Sequence, residues 1–485
     1  MSGKGSSAIV AGAAGVVLVA TTFKVFDLDR FFVPKELLLH ALAAITALIL
    51  FGKIRAAIGT RVDLLLLGFL ALSVVSAALA QNRWVAFRAV AITASSILLF
   101  WSARVSPSRP VLAGVAVAVV LAAATSLLQA YGVDLAIFSE NRSPGGTLGN
   151  RNFVAHAIAF GFPILLFFAA TARRVIVPYL GVTIATAALV LTRSRGGWLA
   201  AGIVGLIFIS RPTLRFAGAL LFAGFGVAAA VLIPNTLHWR SDNPYLQSVQ
   251  NIAEFEHGSG RGRLVQYTRS MVMAAHHPLL GVGPGNWPVE YPDYAARRDP
   301  SMNDSEAGMT FNPWPSSDWI AYASERGVAV VLLALAFLGL AFGGSADANT
   351  TLALLGVIAA AVLAGAFDAV LLLPVPAFLV WTSIGALGAK PEEPRRSMGA
   401  GTMALALVIV VAAAGAVRSG GQLAAMELYD SQPLRAARVD PGNYRIQLRA
   451  ARIGTRNERC EHARAAHALF PSAEAARRLE QACRK

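Results

Sequence analysis

The sequence predicts an all-α polytopic membrane protein of about 12–13 transmembrane helices, with a large loop and a helical-hairpin tail on one side of the membrane. Three observations carry this. Hydrophobic residues make up 56% of the 485-residue chain and charged residues only 14%, where soluble domains run nearer a quarter charged. The apolar residues arrive in uninterrupted blocks of about 20, long enough to cross a bilayer as helices. The formal charge of +15 and pI near 10.5 come from basic residues scattered between those blocks. They are not gathered on one soluble face, which argues against nucleic acid as a partner.

The candidate spans are about 7–23, 36–51, 63–80, 85–103, 111–131, 152–172, 175–192, 198–210, 216–233, 319–342, 351–370, 374–389 and 401–417. The first has no small-residue cleavage site after Thr21-Thr22-Phe23-Lys24 and is expected to be a retained span. One alternating set of short connections holds Lys53, Arg55 and Arg61; Arg104 and Arg109; Arg173 and Arg174; Arg211 and Arg215; and Lys390, Arg395 and Arg396. Positive charge accumulates in short cytoplasmic loops, so this set and the N-terminus with Lys4 are assigned inside. An odd number of spans then puts the tail outside. The expected division is a membrane domain over 1–417, including the outer loop 234–318, and a tail over 418–485.

The outer side carries the long segments 24–35, 132–151, 234–318 and the tail. A loop the size of 234–318 is usually functional or disordered. Trp239, Trp287 and Trp314, with Trp319 at its end, favour function and a place at the membrane interface. In the tail, Ala, Leu and Arg recur at helical spacing around turns at Pro441-Gly442 and Pro471-Ser472. Its 13 Lys/Arg against 7 Asp/Glu, net +6, fit a solvated face or one that meets anionic glycan or headgroups. Cys460 and Cys483 are the only cysteines, too few for a thiolate metal cluster or a disulfide framework. Two helices folding at Pro471 would bring them level, as a disulfide or as two buried thiols.

Arginines on the outer side oppose the bias that sets topology, so each needs a reason. Lys24, Arg30, Lys35 and Arg83 are expected to snorkel to lipid phosphates at helix ends. Others sit in glycine-rich polar segments: Arg142 and Arg151 within 141–152, Arg193 and Arg195 before Gly196-Gly197, and Arg261 and Arg263 within 258–263. After the first two segments a helix begins on the outer face, with its free N–H groups and positive dipole end pointing outward. Glycines would let a phosphate approach the backbone, and guanidinium groups bind its oxygens bidentately. Lipid-headgroup anchoring is the plainer reading, but anchors need no glycines. Arg151, Arg193, Arg195 and Arg263 are therefore the candidate phosphate-binding residues. The third segment leads into a helix with Leu264, Met271, Val272 and Ala275 on one face, which suits a helix lying flat on the bilayer. Gly281-Val282-Gly283-Pro284-Gly285-Asn286-Trp287 has no preceding strand and no Lys-Ser/Thr, so it is a turn that shapes a cleft and not a nucleotide loop. His40, Arg88, His156 and Asp368 fall within the bilayer, where polar residues line cavities or pair internally.

Asn150-Arg151-Asn152, Ser194-Arg195-Gly196-Gly197, and Gly262-Arg263 leading to 277–286 resemble the bacterial O-antigen ligase and O-antigen polymerase superfamily, in the family's order and over residues 1–417. The resemblance implies a class-C-type glycosyltransferase fold in the bacterial inner membrane; with it, the orientation expected from the charge bias makes the N-terminus cytoplasmic and the C-terminus periplasmic. It implies transfer of a glycan from undecaprenyl diphosphate to an acceptor glycan or lipid on the outer face, with neither nucleotide nor metal. It also implies that Arg195 and Arg263 bind the carrier diphosphate. Ligases of this family place a His-Asn pair late in the large loop; here Ser316 and Ser317 stand in its place. That shifts weight to a surface-polysaccharide polymerase, with a ligase acting on lipid A core and a protein O-oligosaccharyltransferase as alternatives. Asp318 is the expected catalytic base, with a helix cap as its other reading and Glu325 as second choice. A transporter of the same lipid-linked glycan is the non-enzymatic alternative, disfavoured because the anion residues sit at the outer mouth and no internal repeat is evident.

Overall fold

The computed structural model describes residues 2–23, 26–210, 213–239, 244–250, 258–343, 347–388 and 400–484. Lys24, Arg211, Lys390, Arg395 and Arg396 lie outside the described residues. The helices of the first half are α1 (Ser2–Leu18), α2 (Asp29–Ile49), α3 (Phe51–Ala57), α4 (Arg61–Leu79), α5 (Arg83–Arg104), α6 (Ser108–Ala130), α7 (Arg151–Thr171), α8 (Ile176–Thr192), α9 (Arg195–Ile209) and α10 (Leu214–Leu232). The large loop contributes α11 (Pro244–Gln250), α12 (Gly258–His276) and the single turn α13 (Trp287–Glu290). Then follow α14 (Asp318–Arg326), α15 (Ala329–Phe342), α16 (Ala348–Phe367), α17 (Pro374–Leu387) and α18 (Ala400–Leu428). The tail adds α19 (Pro433–Val439), α20 (Tyr444–Ile453), α21 (Arg456–Leu469) and α22 (Glu474–Cys483).

The chain is a polytopic all-α membrane protein. Among the described residues, eight helices are long and apolar enough to cross a membrane, and five shorter apolar helices accompany them. Each predicted span finds a helix at its place. Two differ in shape. The apolar block 319–342 is broken into α14 and α15 at Gly327, whose φ of 55° only glycine adopts without strain. The last block does not stop at 417: α18 runs on to Leu428 and carries the membrane region directly into the tail.

The core is built where helices are apolar all round. Every residue of α17 is buried, and so is α7 from Phe153 to Phe167, whereas α10 leaves Leu221, Val231 and Leu232 exposed as a lipid-facing surface would. Arg30 and Lys35, expected to reach lipid phosphates, turn inward instead. Arg30 donates to the Phe138 carbonyl at 2.8 Å, and Lys35 donates to the Thr147 and Val19 carbonyls. Both are buried, because the 132–150 loop folds back over α2 and leaves carbonyls that need donors. Arg83 is exposed at the start of α5. The polar residues within the spans pair internally: His40 Nδ1 lies 2.8 Å from Ser95 Oγ, and Arg88 Nε is 2.9 Å from both oxygens of Glu36.

The tail docks on the loop-bearing end. Trp84 Nε1 donates to Asp440 at 2.6 Å, Gln81 donates to the Ala468 carbonyl at 2.9 Å, and the Glu474 N–H donates to Ala307 of the large loop at 3.0 Å. α20, α21 and α22 stack as antiparallel neighbours, and Cys460 and Cys483 form a disulfide across α21 and α22 with Cα atoms 5.6 Å apart.

Candidate functional site

Four helix ends meet at the loop-bearing face. α7 begins at Arg151 behind Asn150, whose side chain accepts the Asn152 N–H at 3.0 Å. α8 ends at Thr192, and the chain turns through Arg193 in a left-handed conformation. α9 starts at Arg195, and α16 ends at Phe367 with Asp368 following. α7, α9 and α16 pack against one another, so two positive helix ends open beside the arginines.

The four predicted arginines are half-buried here. Arg151 and Arg193 share one aromatic platform, with guanidinium carbons 5.2 and 4.8 Å from the Trp239 ring centre. Arg193 also donates to Ser248 at 2.9 Å and Gln247 at 3.2 Å. Arg142 and Arg193 are close enough to repel Arg151. Arg263, from α12, lies within electrostatic reach of His156 on α7 and of Tyr267. Among the described residues no ion pair holds Arg151, Arg193 or Arg263. Like charges as close as those of Arg142, Arg151 and Arg193 cost free energy that an anion would offset.

The glycines divide differently from expectation. A methyl group on Gly197 would lie 2.7 Å from Ala155 Cβ, so this glycine lets α9 close on α7. Gly145, Gly146 and Gly149 are buried against the chain's own atoms, Gly149 against the Phe31 ring. They shape the loop and are not open to a phosphate. Gly196 is half-buried, its nearest neighbour Phe367 Cβ at 3.5 Å from the added carbon. On α12, Leu264, Met271, Val272 and Ala275 are exposed together, as the lipid-facing reading requires.

Asp318 is not placed as a base would be. Its carboxylate is buried and accepts the Val370 N–H at 2.9 Å and the Leu371 N–H at 3.0 Å, and Gly365 packs on it so closely that a methyl there would meet Oδ2 at 2.7 Å. It caps no helix of its own; it pins the 368–373 segment between α16 and α17. The residues in place of the His-Asn pair are also structural. Ser316 is held through its backbone by Gln266 and Tyr267, and Ser317 donates to the Gly365 carbonyl at 3.0 Å. Burial pushes the Tyr267 hydroxyl up to about 12, with Arg263 drawing it down and Asp368 adding to the rise. It therefore stays a donor at neutral pH. Among the described residues Glu325 forms no ion pair, though Arg326 acts on it electrostatically; it accepts the Gly285 N–H at 2.8 Å and the Trp287 N–H at 3.2 Å, anchoring the glycine-rich turn.

The carboxylate that does reach the arginine cluster is Asp368. Its Oδ2 stands 4.0 Å from His156 Nε2, and its side chain is 17% exposed where that of His156 is 3% exposed. The sequence marks Asp368 and His156 as polar residues inside spans, but their juxtaposition depends on the packing of α16 on α7. Among the described residues, no group of three or more His, Cys, Asp or Glu is placed to hold a metal ion.

A cavity of about 410 Å³ opens beside this cluster, lined by the large loop, the start of α5, the 371–373 segment and the tail. Arg142 is the link to the cluster, and Trp314 lines the cavity while its ring packs near Phe153, two residues beyond Arg151. Arg151, Arg193, Arg195 and Arg263 do not line it. The arginine cluster and the cavity are thus adjacent compartments.

Residues 180–335, from α8 into α15, match the family model described as O-Antigen ligase. The segment contains Arg193, Arg195, Arg263 and Asp318; Arg151, His156 and Asp368 lie outside it. The match supports the O-antigen ligase/polymerase superfamily and, in general terms, its glycosyltransferase type of activity. No curated protein matches the chain at a significant level.

Proposed function

We propose, with the O-antigen ligase/polymerase superfamily as premise, that the protein transfers a glycan from undecaprenyl diphosphate to an acceptor sugar on the periplasmic face of the bacterial inner membrane, as a surface-polysaccharide polymerase. The observation that carries this reading is the gathering of Arg151, Arg193 and the start of α9 with Arg195 at one rim, without ion pairs for Arg151, Arg193 or Arg263 among the described residues. An acceptor hydroxyl attacks the anomeric carbon, a new glycosidic C–O bond forms, and the bond to the diphosphate oxygen breaks. Charge grows on the leaving diphosphate, so guanidinium groups already in place stabilise the transition state more than the ground state. Asp368, beside His156, is the proposed proton acceptor, and Asp318 the residue that positions its segment. The cavity beside Trp314 is the proposed acceptor compartment. In this reading residues 1–417 form the transferase domain, no metal takes part, and 418–485 face the periplasm.

A ligase is the second reading, favoured by the description of the matching family model; serine at 316 and 317 favours the polymerase. Product analysis separates them. Purified protein given an undecaprenyl-diphosphate-linked oligosaccharide and lipid A core should lengthen the glycan on the carrier. Glycan on lipid A core would assign a ligase, and glycan left unchanged would remove the enzymatic reading.

A further inference from the structure

A second cavity, a groove of about 460 Å³, runs between the loop tip at 305–309 and the tail helices α20 and α22. Arg445, Arg449 and Arg452 line it from one face of α20, three and four residues apart, and Arg478 lines it from α22. Like charges at that spacing destabilise a helix, so their alignment needs a compensating partner. Among the described residues the acids at hand form no ion pair with them, though Asp29 lies within electrostatic reach of Arg445 and Glu306 lines the groove. Glu474 already pairs with Arg478 at 2.6 Å, and among the described residues Arg445, Arg449 and Arg452 have no ion pair. Arg449 Nε is enclosed without a hydrogen-bond partner, while its guanidinium lies 5.9 Å from the Tyr429 ring centre.

The groove is continuous with the acceptor cavity: Glu306, Met309, Tyr444 and Arg445 line both. On the cavity side Arg326 and Arg418 are buried, and each again has an Nε with no partner. Trp314, Tyr322 and Phe470 supply aromatic faces between them. Arginine forks match carboxylates, and aromatic rings match the apolar faces of sugar rings. The track is held in shape by the Trp84–Asp440 bond, by the Glu474 N–H on Ala307, and by the Cys460–Cys483 bridge, so little ordering is needed on binding.

We propose that the cavity and groove form one track for an acidic polysaccharide, its acceptor end in the cavity and its trailing uronate-type sugars on Arg445, Arg449 and Arg452. The role as acceptor rests on the glycosyl-transfer reading; the binding does not. It names the class of polymer this site takes and gives the tail a function, holding the chain between additions.

The test uses the full chain in nanodiscs with a galacturonate oligomer as probe, a malto-oligosaccharide of equal length as neutral control, and phosphatidylglycerol vesicles as the headgroup control. Galacturonate should bind, weaken as salt rises, and bind at least about tenfold tighter than the neutral oligomer, the weight of one charge-assisted hydrogen bond. Arg449→Gln should weaken it about tenfold on the same basis. Arg445→Gln, Arg449→Gln and Arg452→Gln together should abolish it, while Arg449→Lys, which keeps the charge, should retain most of it. Melting temperature and an intact Cys460–Cys483 bridge establish that each variant is folded. Equal binding of the neutral oligomer, undiminished binding by the triple variant, or loss in that variant of vesicle binding alone would each overturn the proposal. Arg195→Ala should leave galacturonate binding intact while abolishing transfer, so a failure of the transfer reading shows itself separately.

Discussion

Gly197→Ala tests whether the closeness of α9 to α7 is what aims the arginines. The added methyl would lie 2.7 Å from Ala155 Cβ and 3.2 Å from Leu189 Cδ1. Carbon atoms rest at about 3.5–4.0 Å, so the first turn of α9, with Arg195 on it, must move out by about 1 Å. Overpacking of this kind costs about 1–3 kcal/mol of stability. A displacement of about 1 Å in a positioning group costs about 100-fold in rate, so activity should fall much further than stability. The contact also supplies its own reversal. Ala155→Gly removes the opposing methyl, leaving the Ala155 backbone carbon at 3.4 Å and Leu189 at 3.2 Å, distances the neighbours can accommodate. Alone, Ala155→Gly should cost about 1 kcal/mol of helix stability and little rate. Combined with Gly197→Ala, it should restore most of the lost activity. Initial rates with an undecaprenyl-diphosphate-linked donor in proteoliposomes, beside thermal melts, measure both. A wild-type rate for Gly197→Ala, or no recovery in the double variant, would refute the packing argument.

Two carboxylates are told apart by the same assay. Asp368→Asn should lower the rate by about 100-fold or more, the usual weight of a general base, with the protein's melting unchanged. Asp318→Asn sets an amide nitrogen against the Leu371 N–H, now 3.0 Å from Oδ2, and should destabilise by about 1–3 kcal/mol without altering the pH profile; the reverse pattern would return the base to Asp318. Breaking the tail's crosslink with Cys460→Ser, which frees a bridge between residues 23 apart, should lower the tail's stability by about 3 kcal/mol. A reductant should shift the wild-type melt the same way and leave the variant unmoved.

The spans were legible in the sequence because a bilayer demands long apolar runs, and each run became a helix. What the runs conceal is where they break. Gly327 divides the 319–342 block through its backbone conformation, just after the polar run Ser324-Glu325-Arg326, and Arg418 continues a helix that hydropathy alone would end. The arginine cluster was legible too, since charges on the wrong side of a membrane stand out. Its supports were not. Arg30 and Lys35 look like lipid anchors until carbonyls more than a hundred residues away, at Phe138 and Thr147, are folded onto them. Asp318 reads equally as base or cap, and only the 370–371 backbone shows where its oxygens are spent. Helical spacing about the turn at Pro471 brings Cys460 and Cys483 level but leaves open a disulfide or two buried thiols; the structure joins them.

The central claim is that the rim formed by Arg151, Arg193, Arg195 and Arg263 grips a lipid-borne diphosphate. Its most direct measurement is the affinity of the purified protein for undecaprenyl diphosphate against undecaprenyl monophosphate, with Arg195→Ala and Arg263→Ala compared under the same conditions. The diphosphate should bind more tightly than the monophosphate, and each variant should lose about 3 kcal/mol, or roughly 100-fold, as when a charge-assisted contact is removed. Equal affinity for the two lipids, undiminished by either substitution, would contradict it.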